Sequence, residues 1–238
     1  MDNFKVNYYF NFIDEFEHKA IFDNTTYAWD VLANVKPYIQ EKVEKDNVQI
    51  NNAAEVADFV SITGNYIIGE GTTIHANAVI QGPVIIGKNV EIQSGALVRP
   101  WTIIGDNCVV GHGSEIKHSV LFNKAKVASL AFVGDSILGK SARIGSGIIC
   151  ANRRFDQKNI TVKNSAGEKV DVGTDFFGLI MGDMSRIGAN STTLPGSFIG
   201  SYTWVLPTCQ IRGFVPSETR VFSTAGTRYE ENPKVELK

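Results

Sequence analysis

The stretch that decides the fold is residues 66–122, YIIGEGTTIHANAVIQGPVIIGKNVEIQSGALVRPWTIIGDNCVVGHGSEIKHSVLF. Within it an aliphatic or aromatic residue falls at every sixth position: Ile68, Ile74, Ile80, Ile86, Ile92, Val98, Ile104, Val110, Ile116 and Phe122. A helix repeats at 3.6 residues and a strand at 2, so neither alone makes a period of six. A repeat this short marks a hexapeptide solenoid, each unit a short strand plus a turn, with three units closing one triangular coil. The aliphatic residues then stack inward. Residues 18 apart lie above one another, about 4.8 Å away, and residues six apart sit on neighbouring faces. The predicted class is all-β, a parallel β-helix.

Outside this stretch the repeat is less even. It begins raggedly at Val48-Gln49-Ile50, slips by two residues near Ala128–Val133, and resumes with Leu138 and Ile144, each followed by glycine. One long departure, 150–177, carries the run Asn152-Arg153-Arg154-Phe155-Asp156 and a turn-like Asn164-Ser165-Ala166-Gly167. A long loop in a compact solenoid is usually functional or disordered, and the aromatic and basic residues here favour the former. Six-residue spacing returns at Met181, Ile187, Thr193, Ile199, Val205 and Ile211. The expected division is a cap over 1–48, a β-helix over 49–213 with its inserted loop, and a tail over 214–238. Roughly seven or eight coils give a prism of about 35–40 Å.

The first 48 residues lack the repeat. Aromatics crowd Phe4–Phe22, then Asp23-Asn24-Thr25-Thr26 offers N-cap candidates for a helix over 27–45 with Trp29, Leu32, Val35, Tyr38, Ile39 and Val43 near helical spacing. Pro37 would kink this helix or divide it in two. Such a segment is expected to close the open end of the solenoid, where strand edges would otherwise stand unpaired.

Composition narrows the function classes. With 25 acidic and 23 basic side chains among 238 residues, the formal charge is −2, which gives no electrostatic case for nucleic acid or an anionic membrane. Cys108, Cys150 and Cys209 form no CxxC pair and read as free thiols of a reducing compartment. Met1–Phe10 has no basic stretch followed by an apolar run, and no apolar run is long enough to span a bilayer. A soluble, cytoplasmic protein is expected.

Chemistry is sought at the position just after each inward aliphatic. On two faces that position is small or neutral polar, mostly glycine, as at Gly69, Gly87, Gly105 and Gly111; on the third it runs Gln81, Arg99, Lys117. Like charges stacked at strand spacing repel. Either an anionic ligand such as a phosphate or carboxylate answers that repulsion, or Glu115 and other surface carboxylates neutralise the pair in solvent. His75, His112 and His118 raise a zinc hypothesis, but the spacing of His112 and His118 turns them to different faces, and no metal is expected. No Ser-His-Asp order, dinucleotide-binding glycine motif or P-loop occurs.

These residues carry a resemblance. The segments Ala96–Pro100, Val110–Lys117, Phe132–Asp135, Ile144–Gly147, Ala151–Asp156 and Lys169–Gly173 occur in an order and spacing similar to the C-terminal acetyltransferase domain of bifunctional sugar-1-phosphate nucleotidylyltransferase/glucosamine-1-phosphate acetyltransferases, most of all archaeal-type members. It covers roughly residues 65–215 and implies a left-handed β-helix, acetyl-CoA as acyl donor, a sugar phosphate or nucleotide sugar as acceptor, and a homotrimer with sites between subunits. Residues 1–48 are too short for the nucleotidylyltransferase domain of those enzymes, which is expected to be absent.

The resemblance also implies roles. Arg99 and Lys117 would bind the sugar phosphate, which agrees with the stacked-cation argument. Glu115, Asn152 and Lys158 match further pocket residues, and Ala189 and Arg212 would approach the cofactor. Three positions depart from the pattern: the family's general-base histidine falls on Ser129, its tyrosine on Phe132, and a pocket asparagine on Arg143. A histidine can take the amine proton as the acyl group transfers, whereas an unassisted serine cannot. That leaves a different acceptor, a base recruited from His118, Glu115 or a neighbouring subunit, or a chain that binds without catalysing.

Overall fold

The computed structural model describes residues 3–45, 49–51, 53–163 and 167–224. The turn expected at Asn164–Ala166, and the part of the expected tail beyond residue 224, lie outside the described residues. The fold is a left-handed parallel β-helix. Two of its faces are nine-stranded and the third is eight-stranded. Face A runs from Gln49–Ile50 through Tyr66–Ile68 and Val84–Ile86 to Phe214–Val215; face B from Glu55–Val56 to Arg220–Val221; face C from Ser61–Thr63 to Gln210–Ile211. Pairing is parallel from coil to coil, with Ile68 beside Ile86 and Ile86 beside Ile104. Strands at both ends fall where the sequence looked ragged or tail-like, so the solenoid is longer than the seven or eight coils expected and continues past residue 213.

The inward column is the expected one as far as Ile116, and Ile74, Ile80, Ile92, Val98, Ile104 and Val110 have no exposed surface. At the corner between faces A and B, Gly87 leaves no room for a Cβ: one built there would lie 2.9 Å from the carbonyl carbon of Gly105 on the next coil. After Ile116 the register differs from the reading of the sequence. Leu121, not Phe122, faces the interior, paired with Ile104, so this rung has five residues instead of six. Val133 to Leu138 is a second five-residue rung. The apparent two-residue slip near Ala128–Val133 is therefore two separate one-residue deletions, at His118 and at Asp135. Both residues take left-handed backbone angles, φ +44° and +48°.

Phe122 points outward into a second core. It stacks on Phe10 (4.9 Å between centroids) and Phe16 (4.3 Å). The N-terminal segment is thus not a plug on the open end of the solenoid; it lies along face A. Phe4, Tyr9, Phe10, Phe16, Ile21, Phe22 and Trp29 pack with the outward residues Ile85, Ile103, Val120, Ile137, Ile180 and Phe198 of that face. Burying both sides of face A requires apolar residues on both, which is why Val84-Ile85-Ile86 is buried throughout.

Helix α1 (Val6–Tyr9) is short, and α2 (Asp30–Lys45) runs unbroken through Pro37. Its start is later than expected, at Asp30, whose carboxylate accepts from the Thr26 and Tyr27 backbone N–H groups just before the helix and so fixes the chain's entry to it. Val31, Val35, Ile39 and Val43 make its buried stripe. At the other end of the segment the Tyr9 carbonyl accepts from Asp183 N and Ser201 Oγ, while Asp183 Oδ2 accepts from Asn11 N.

The chain leaves the solenoid after Ile149–Cys150 and rejoins at Leu179–Met181. A bridge between Arg153 and Phe176 closes the base of this excursion, and Thr161–Lys163 pairs antiparallel with Lys169–Asp171. Ile160, Val162 and Phe177 join the outer core, so the loop also lies against face A.

Candidate functional site

The corner where face C turns into face A gathers the charged groups. Arg99, Lys117 and Gly134 follow one another up this corner; Arg99 N donates to Ile116 O, and Lys117 pairs with Gly134. The stacked geometry of Arg99 and Lys117 is thus present, but each cation already has a carboxylate. Arg99 Nη1 donates to Glu115 Oε1 at 2.7 Å, and Lys117 Nζ to Asp135 Oδ2 at 3.1 Å. The first pair is part-exposed, with 39% and 32% of the side-chain surfaces open. The second is held deeper.

Asp135 is the hub, and the reading of the sequence missed it. It is 2% exposed and accepts from Lys117 Nζ, from His118 Nδ1 (2.7 Å) and from Asn152 Nδ2 (2.5 Å). Burial alone would raise its carboxyl; the hydrogen bond from His118, the charge of Lys117 and the hydrogen bond from Asn152 outweigh that and hold it below the usual carboxylate range. The spacing could have found it, since Asp135 stands 18 residues after Lys117.

His118 is committed on both sides. Its Nδ1 meets Asp135 and its Nε2 meets the Leu32 carbonyl of α2 at 3.1 Å. Neither nitrogen has a lone pair free toward a ligand, which makes His118 a clamp between the corner and α2 instead of the base considered from sequence. Ser119 and Ser136 brace the short rungs: Ser119 Oγ donates to Lys117 O and accepts from Ser136 N, and Ser136 Oγ does the same for Gly134 O and Leu179 N. Phe176 of the inserted loop covers the group, its ring 4.2 Å from Lys117 Nζ and 4.7 Å from the Arg153 guanidinium.

The remaining expected residues lie elsewhere. Ser129 and Ala189 share the corner between faces B and C, with Ser146 between them; the carbonyls of Ser129, Ser146 and Ala189 accept in turn from the Gly147, Asn190 and Thr208 N–H groups up that corner. The Ser129 hydroxyl bonds to none of the described residues. Arg212 is exposed, in the Arg99–Lys117 column but several coils further on, at the opposite side of face C from Ala189. Lys158 is exposed in the loop, with its N–H toward Asp156. So Arg99, Glu115, Lys117, His118 and Asn152 come together within one chain, and Ser129, Lys158, Ala189 and Arg212 do not join them. The three histidines are dispersed: His75 lies by Glu91 on face B, and His112 bonds Ser94 O at the B–C corner.

Known proteins resemble this chain. The GMPPB C-terminal domain family matches residues 80–177. The bifunctional protein GlmU of Methanococcus maripaludis (strain S2) is 38% identical over 206 residues, covering 87% of this chain and 48% of its own length. A bifunctional sugar-1-phosphate nucleotidylyltransferase/acetyltransferase of Sulfurisphaera tokodaii is 38% identical over 66% of this chain and 39% of its own. The chain spans about half the length of the GlmU proteins it matches. The putative uncharacterized acetyltransferase YaiX of Escherichia coli K12 is 33% identical, over 78% of this chain and 79% of that one. Among solved structures, the polySia-specific acetyltransferase NeuO overlays with TM-score 0.37 and 15% identity over 79% of this chain and 93% of its own, an overlap too slight to add to the coil register above. Sequence similarity across most of both lengths, together with the coils themselves, shows that the protein belongs to the hexapeptide-repeat acyltransferase superfamily, alongside the C-terminal region of the GlmU-like bifunctional proteins.

Proposed function

We propose that this chain is an acyl-CoA-dependent transferase, an acetyltransferase acting on an amino-sugar phosphate or a nucleotide-linked sugar, with its site completed between subunits of a homotrimer. The observation that carries this reading is the part-exposed Arg99–Glu115 pair stacked next to Lys117 on one corner. A phosphate arriving there exchanges one carboxylate partner for another anion, with the planar guanidinium offering two donors and Lys117 a point charge. Asp135, itself held by Asn152, fixes Lys117 from the next coil, and Phe176 keeps the group partly dry.

In the transfer, the acceptor amine attacks the thioester carbonyl, the carbon–sulfur bond breaks, and the amine's extra proton must leave. His118 is spent on Asp135 and Leu32, and among the described residues the Ser129 hydroxyl has no hydrogen-bond partner to activate it. Glu115 is the remaining carboxylate open to solvent in the cluster. We assign it the proton acceptor's role, released for it when the acceptor's phosphate takes its place on Arg99. Ala189 and Arg212 would serve the acyl donor along the later coils.

A second reading, a binding module without turnover, is favoured by the same occupied His118. Release of free thiol from acetyl-CoA in the presence of amino-sugar 1-phosphates separates the two. Turnover that falls about 10²–10⁴-fold in Glu115→Gln supports the transferase. No turnover with any acceptor, and none gained by Ser129→His with Phe132→Tyr, leaves the binding module.

A further inference from the structure

Face B carries a second set of cations, remote from the Arg99–Lys117 corner. Lys126 pairs in register with Arg143, Arg143 with Arg186, Arg186 with Trp204, and Trp204 with Arg220. All five are exposed. Consecutive members are therefore one coil apart, about 4.8 Å. Among the described residues, none of Lys126, Arg143 and Arg186 has a carboxylate within ion-pairing distance. This contrasts with the other corner, where both stacked cations are neutralised.

The position two residues on, outward beside each cation, is Ala128, Gly145 or Gly188, so on that side nothing larger than a methyl group flanks the column. Like charges placed directly opposite on adjacent strands are unfavourable. In a chain of formal charge −2, three of them in consecutive register, unpaired and accessible, are expected where an anion with linked charges lies across them. At the end of the cationic run Trp204 offers a flat ring, 46% exposed, with the Arg220 guanidinium 5.2 Å from its centroid.

We infer that this column is a nucleoside-diphosphate site, Lys126, Arg143 and Arg186 holding the two phosphates and Trp204 the base. Linked phosphates match adjacent cations, and aromatic–base stacking accepts any base. The choice of ligand class rests on the transferase reading, because an acyl-CoA donor contains an adenosine diphosphate and an activated sugar a nucleoside diphosphate. Its test does not, since binding is read without turnover.

The full chain is titrated with ADP, AMP, coenzyme A and a uridine diphosphate sugar, following Trp204 fluorescence, with Trp204→Phe identifying that signal. ADP is expected to bind more tightly than AMP, less tightly as salt rises, and at least about tenfold more weakly in Arg143→Gln with Arg186→Gln. Lys163→Gln, an exposed cation on the inserted hairpin, is the control and should bind as the parent does. Coenzyme A binding without the uridine diphosphate sugar makes the donor the source, and the reverse makes it the acceptor; either supports the site. Equal ADP and AMP affinity, no nucleotide binding, or an ADP affinity unmoved by the double variant overturns it. The site stands if nucleotide binds through the column in a chain that transfers nothing. It falls if a chain that transfers acyl groups ignores the column.

Discussion

Asp135→Asn isolates the charge at the hub of the corner. Asparagine has nearly the same shape and tolerates the left-handed backbone at this position (φ +48°), so the substitution removes charge without adding backbone strain. Three donors converge on the native carboxylate, from Lys117, His118 and Asn152. A hydrogen bond to a charged group contributes about 1.5–3 kcal/mol, and an amide retains part of each. Lys117 keeps 24% and His118 18% of its side-chain surface, so solvent recovers some of the loss. The expected cost is about 2–3 kcal/mol near neutral pH. For a chain of this size that is a fall in Tm of about 4–12 °C.

The pH dependence gives a sharper test. Because the native carboxyl is held low, its contribution is complete above the unfolded value near 3.9 and is lost as pH falls through the lower native value. The amide that replaces it in the variant cannot titrate. The difference in Tm between parent and variant should therefore shrink as pH falls below about pH 4. Circular dichroism melts from neutral pH down through that range measure it. Equal melting at neutral pH, or a difference that grows on acidification, would refute the assignment of Asp135 as an ionised hub.

Two other expectations follow from the packing. Phe122→Ala removes a ring stacked on both Phe10 and Phe16 and should cost about 3–5 kcal/mol; limited proteolysis should then cut first within the N-terminal segment, and first cuts inside the coils would argue against that packing. Burial pushes the Cys108 and Cys150 thiols up to about 12, so iodoacetamide at pH 8 should leave both unmodified in the native protein; mass spectrometry finding either alkylated before unfolding would contradict the core described.

The column Ile68–Ile116 was legible because an inward position on every rung demands an aliphatic side chain and the outer positions beside it are polar or small. Legibility failed at Phe122 for a physical reason: Val120, Leu121 and Phe122 are all buried, and periodicity cannot say which of three apolar neighbours faces inward. The signal that resolves it lies in the comparison of rungs. Every third rung carries two or three adjacent apolar residues, Val84–Ile86, Thr102–Ile104, Leu179–Met181, while the rungs between alternate. A face apolar on both sides must be covered, and the aromatics of Phe4–Phe22 are the cover. Arg99 and Lys117 were legible from their spacing of 18. Glu115 was legible as a neutralising carboxylate beside them; Asp135 was overlooked although it stands 18 residues after Lys117, and a corner that has lost a residue sets Gly134 in register with Lys117 and Asp135 one residue on.

That lost residue ties the cover to the site. Each shortened corner sets a non-glycine residue, His118 or Asp135, in the left-handed region, as the six-residue corners do at Trp101, Asn89 and Asn107. Such strain persists where surrounding contacts over-determine it. Here they do so from both directions. Ser119 and Ser136 hold the short rungs from within the coil, and the Leu32 carbonyl holds His118 from the helix lying on face A. The helix therefore reaches Lys117 through two hydrogen-bonded links, His118 and then Asp135. Loosening the aromatic cover at Phe122 should for that reason weaken anion binding at Arg99 and Lys117, although Phe122 itself bonds to neither.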